Sequence, residues 1–87
     1  MQYNLQIQLK SSEGAVLRTL GLIERRGFRI ESMTLMEPGG DGRSLTVKVT
    51  SDRAIELLKR QLARLHDVLW VDVKKPAANW SSNRLGN

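Results

Sequence analysis

Apolar and polar positions alternate without a break over residues 3–10. Tyr3, Leu5, Ile7 and Leu9 share one parity, and Asn4, Gln6, Gln8 and Lys10 share the other. A period of two marks a strand buried on one face. The period then changes. Ser12 is a fair N-cap, Glu13 falls in the first turn, and Val16, Leu17, Leu20 and Ile23 recur at helical spacing. Gly27 suits the left-handed position just past a helix end. Residues 28–36 read as a second strand with one peculiarity: Phe28 and Ile30 lie on one parity, Met33 and Leu35 on the other. Residues 37–43, with Pro38 and three glycines, are a turn or loop. Residues 44–50 alternate again with Leu45, Val47 and Val49 inward, which predicts a hairpin with the strand before. Ser51 and Asp52 cap a second helix over residues 53–66. It has Ile55, Leu58, Leu62 and Leu65 as its apolar stripe and a favourable Glu56–Arg60 pair. Residues 67–73 form a fourth strand, in which Trp70 sits on the opposite parity to Leu69, Val71 and Val73.

The order βαββαβ, with two helices over one face of a four-stranded antiparallel sheet, is the α+β ferredoxin-like arrangement. Right-handed crossovers give the strand order 4-1-3-2, so the second and fourth strands are the edges. The domain spans residues 1–74. Residues 75–87 turn polar around Pro76, with Trp80 and Leu85 as their large apolar groups, and are expected to be a flexible tail. A domain this small buries only about 60% of the surface its unfolded chain exposes. Met33 and Leu35, read as facing away from the helices on an unprotected edge strand, are the candidates for self-association; Trp70 adds to the apolar surface.

Composition changes the picture modestly. There is no Cys, no apolar run approaching the roughly 20 residues of a membrane span, and no signal-like opening segment, so a cytoplasmic chain is expected. On that expectation the sequon at Asn79 has no role. The net charge of +5 admits an anionic partner. Much of the excess, however, is Arg25, Arg26, Lys59, Arg60 and Arg64, interspersed with acids on helix faces, which reads as a solvated surface. His66 is the single histidine and has no partner at catalytic or metal-binding spacing. The glycines after Pro38 join two strands, whereas a phosphate cradle joins a strand to a helix. No catalytic or metal site is predicted. Residues 10–14 (KSSEG) remain open: the start of a helix welcomes a carboxylate and Gly14 would let a small ligand approach, but ordinary capping explains the same residues.

The run from Glu13 resembles the opening of an ACT domain, the small-molecule-sensing version of this fold. More closely, it resembles the small regulatory subunits of acetolactate synthase, through Gly14, Ala15, Arg18, Gly21 and Leu22, then residues 26–34, and later Gln61, Leu62, Leu65, Asp67, Val68 and Val71. The resemblance covers about residues 3–74. It implies a chain that carries no cofactor, forms a homodimer through its sheet, and binds and activates a large catalytic subunit. That partner would hold thiamine diphosphate, Mg and FAD and act in branched-chain amino acid biosynthesis.

Where such subunits respond to valine, the resemblance implies an effector site at a dimer interface, on an Asn before the helix, a helix-start Gly and an Asn after the strand-two aromatic. This chain keeps Gly14 but has Ser11 and Arg29 at the two Asn positions. With its short length, that points to the valine-insensitive, isozyme II type. A free-standing amino-acid sensor using Gly14 is the alternative. An RNA-binding module of the same topology is the alternative of another class, but it needs aromatics on the outer face of the central strands. Asn4, Gln6, Gln8, Thr46 and Lys48 occupy that face here. Neither nucleic acid nor a membrane is therefore the expected partner.

Overall fold

A computed structural model of the chain describes residues 1–37 and 42–74. Six elements follow in order: β1 (Gln2–Lys10), α1 (Ala15–Arg25), β2 (Arg29–Met36), β3 (Gly42–Thr50), α2 (Ile55–Ala63) and β4 (Val68–Lys74). The sheet runs β2-β3-β1-β4 with antiparallel neighbours, the order predicted from the crossovers, and β2 and β4 are its edges. The centre of the predicted turn after β2 and the expected tail beyond Lys74 lie outside the described residues.

Period-two alternation does its expected work in the central strands. Leu5, Ile7 and Leu9 of β1 and Leu45, Val47 and Val49 of β3 are fully buried. They pack with Leu22 and Ile23 of α1, Ile55, Leu58 and Leu62 of α2, and Phe28. Burying each such large side chain contributes about 1.5–3 kcal/mol. Ala15 and Thr19 let α1 lie close; the buried Thr19 hydroxyl donates to the Ala15 carbonyl at 2.8 Å.

Three expectations need correction. Neither helix has a side-chain cap. Gly14, with φ 77°, precedes α1, and Ala54 precedes α2. The Ser12 hydroxyl lies by the Asp67 carboxylate instead and helps to lower its pKa. Ser51 uses its hydroxyl to accept from the Arg53 N–H and donate to the Gly27 carbonyl, which ties the start of the second crossover to the end of α1. The second helix is also shorter than the apolar stripe suggests, ending at Ala63. Second, Glu56 and Arg60 do not pair; the ion pairs among the described residues are Arg18–Asp67, Arg29–Glu31 and Arg43–Glu37.

The third correction concerns β2. Ile30 pairs with Val49, but the next partner of Lys48 is Ser32, so Glu31 is an extra residue, a β-bulge. Beyond it Met33 stands opposite Val47 and Leu35 opposite Leu45. Directly opposed residues of a ladder project to the same face. Met33 and Leu35 therefore point to the helix-bearing side, not away from it. A second irregularity, at Leu69, separates Val68 (opposite Leu9) from Trp70 (opposite Gln8), and puts Trp70 on the outer face.

Candidate functional site

The loop joining β1 to α1 is held by one ion pair. Arg18, one turn into α1, donates from Nε to Asp67 Oδ2 at 2.7 Å and from Nη2 to the Glu13 carbonyl at 2.8 Å. Asp67 is buried just before β4, and its own carbonyl accepts from the Lys10 N–H at 2.8 Å. The Arg18 hydrogen bond holds the Asp67 carboxyl below the usual carboxylate range against the opposing effect of burial; Ser12 and His66 add to the lowering. The same bond raises the Arg18 guanidinium further above its ordinary value.

This clamp changes how Gly14 reads. Its positive φ explains the glycine. But the space a Cβ would fill is taken by Arg18, whose Nη1 would stand 2.8 Å away. The approach that Gly14 leaves open in sequence is thus closed on that side by the chain's own guanidinium. Ser11 lies on the same loop, in the wall of a shallow hollow with Gln8, Lys10, Ser12, Gly42 and Leu69. Arg29 is not brought to it. As the first residue of β2 it pairs with Thr50, whereas the loop follows Lys10, which pairs with Gly42 at the other end of the sheet. Within one protomer Arg29 meets Glu31 at 3.9 Å and is largely exposed.

The β2 edge is the second candidate surface. Met33 is 40% and Leu35 38% exposed although both lie on the helix side, because β2 is outermost. The helix repeat puts Val16 and Leu20 on the flank of α1 opposite Arg18 and Arg25. Arg18 reaches towards β4, so that flank looks over the β2 side, with Leu17, 76% exposed, beyond it. An apolar strip thus runs along an edge strand whose outer side has no ladder partner among the described residues. On the outer face Met36, Ser44, Gln8 and Trp70 form one row across all four strands. Trp70 is 48% exposed.

Among the described residues no three acidic, His or Cys side chains gather as a metal site, and no helix is long and apolar enough to cross a membrane. The Arg18–Asp67 pair was not derivable from periodicity, since 49 residues separate its members. Its only trace in sequence is that both belong to the strings that carry the family resemblance.

A ferredoxin-like sheet, a glycine at the start of its first helix and an apolar edge strand define a class. The ACT domain family matches residues 11–71, and the chain belongs to that family. Within it, the sequence is similar to acetolactate synthase small subunits. It is 34% identical over 73 residues to the isozyme 3 small subunit of Escherichia coli (strain K12), covering 82% of this chain and 45% of that protein. It is 39% identical over 67 residues to a probable small subunit of Methanothermobacter thermautotrophicus, covering 75% and 40%. The chain therefore spans less than half the length of these relatives. The fold is shared with the acetolactate synthase small subunit of Thermotoga maritima (TM-score 0.75, 24% identity, 88% of this chain and 49% of that one). It is also shared with the ACT domain of a Chlorobium tepidum GTP pyrophosphokinase (TM-score 0.73, 13% identity, 85% and 97%).

Proposed function

We propose that this chain is a non-catalytic regulatory small subunit of acetolactate synthase. In this reading it is a homodimer that binds and activates the thiamine-diphosphate-dependent catalytic subunit in the cytoplasm. The similarity of its ACT domain to named small subunits carries the proposal. It binds no cofactor itself; thiamine diphosphate, Mg and FAD belong to the partner. Activation works by population shift, the small subunit binding the active form of the partner more tightly than the inactive one.

The dimer forms along β2, where Met33 and Leu35 supply apolar contact and the free ladder supplies hydrogen bonds. If two β2 strands pair antiparallel, the partner's Arg29 comes to the end of the sheet that bears Ser11 and Gly14. These three residues then form one interfacial site. Ser11 is too short, and Arg29 too bulky and charged, to replace two Asn side chains in gripping an amino acid, and Arg18 fills the space beside Gly14. That supports a valine-insensitive protein of the isozyme II type. The hollow beside Ser11 favours the second reading, a free-standing amino-acid sensor.

Co-expression with an acetolactate synthase catalytic subunit tests both. The expected result is a co-purifying complex with higher activity than the catalytic subunit alone and no inhibition by added valine. No complex and no gain in activity would overturn the subunit reading. Saturable valine binding to this chain alone would favour the sensor.

A further inference from the structure

At the end of the molecule remote from the β1–α1 loop, the last turn of α1 and the first turn of α2 border a cleft of about 350 Å³. Phe28 and Leu58 form its buried floor, and Leu57, 56% exposed, stands at its side. Arg26, Arg53 and Gln61 supply the polar lining. Arg53 lies across Gly27, whose positive φ and missing side chain make room for it. Among the described residues no carboxylate forms an ion pair with Arg26 or Arg53, although Asp52 and Glu56 are close in sequence.

Two unpaired guanidiniums beside an apolar floor suit an anion that carries an apolar group, because the planar fork of Arg matches a carboxylate. The extent of the cationic surface decides the kind of ligand. Arg60 follows Leu57 at three residues on the same face of α2, and Arg64, the residue just past the helix, continues that line, which carries positive charge roughly 10 Å past the cleft. A small metabolite would leave that stretch unused, whereas a chain segment bearing several acids would cover it.

We propose that this cleft docks an acidic segment of a partner protein. One aliphatic or aromatic side chain enters over Phe28 beside Leu57, and neighbouring carboxylates meet Arg26 and Arg53. The inference rests on the subunit reading above and makes that partner the catalytic subunit. It uses neither Met33 nor Leu35, so docking and self-association occupy separate surfaces.

The test titrates the wild-type chain, Arg26→Glu/Arg53→Glu, the milder Arg26→Gln/Arg53→Gln and Leu57→Asp onto immobilised catalytic subunit at low and raised salt. Thermal melts and sedimentation accompany each chain. The charge reversal should weaken binding at least roughly tenfold and flatten its salt dependence, with melting and self-association unchanged. The Gln pair should act in the same direction by less, and Leu57→Asp should weaken binding at both salt concentrations. Wild-type binding with all variants within twofold of it overturns the cleft and leaves the subunit reading standing. No binding by the wild-type chain overturns both. Labelled single-stranded RNA runs in parallel: RNA binding lost in the charge reversal, with catalytic-subunit binding intact, assigns the arginines to nucleic acid and overturns the proposal.

Discussion

Asp67 is buried beside one cation, and its titration has a definite sign. Its carboxyl is held below its ordinary value by Arg18 first, so the folded chain releases this proton more readily than the unfolded chain. The resulting stabilisation is fully present above the unfolded carboxyl value of about 4 and is lost as pH falls through the lower folded value. Denaturation curves at a series of pH values should therefore show wild type more stable than Asp67→Asn at neutral pH, with the gap closing in acid. A gap that persists unchanged at pH 2 would mean the ion pair is not its source. Gly27 makes a separate prediction. Its φ of 87° is left-handed, and a Cβ there would meet the Arg53 side chain. Gly27→Ala should cost about 1–2 kcal/mol from the backbone alone, measured by urea unfolding. Gly27 was readable from sequence as a helix stop. The Arg18–Asp67 clamp was not, because it joins positions that only the finished topology brings together.

The strands show what periodicity reveals and where it misleads. In β1 and β3 the alternation runs unbroken and the structure follows it residue for residue. In β2 the parity switch between Ile30 and Met33 was visible, but it was read as a strand with two apolar faces. It is the signature of a bulge: one extra residue, Glu31, keeps Met33 and Leu35 on the side that Ile30 occupies. A one-residue shift exchanges every side chain between faces, so the inference about facing was reversed, while both side chains stay more than a third exposed. The helix ends were less legible for a different reason. Ser12 and Ser51 are both good capping residues by type, yet the Ser12 hydroxyl lies by Asp67 and the Ser51 hydroxyl donates to the Gly27 carbonyl. The proposed β2 pairing is tested at this scale. Met33→Lys with Leu35→Lys should convert the dimer to a monomer in sedimentation at micromolar concentration. It should lower the melting of the monomeric fold only modestly, since both side chains are already more than a third exposed in the protomer. A dimer that survives both substitutions would exclude this edge as its interface.

Taken whole, the molecule is two layers with one apolar seam between them, and that seam reaches the boundary in more than one place. Phe28 shows this best. It is almost wholly enclosed, forms the floor of the arginine-lined cleft, and is joined directly to the first residue of β2. A wedge driven into the cleft would therefore bear on the root of the strand that carries the free edge. Between the two surfaces lies the Glu31 bulge, so whatever strain one passes to the other must travel through an irregular stretch of β2. Any energy gained in that transmission is owed equally in both directions.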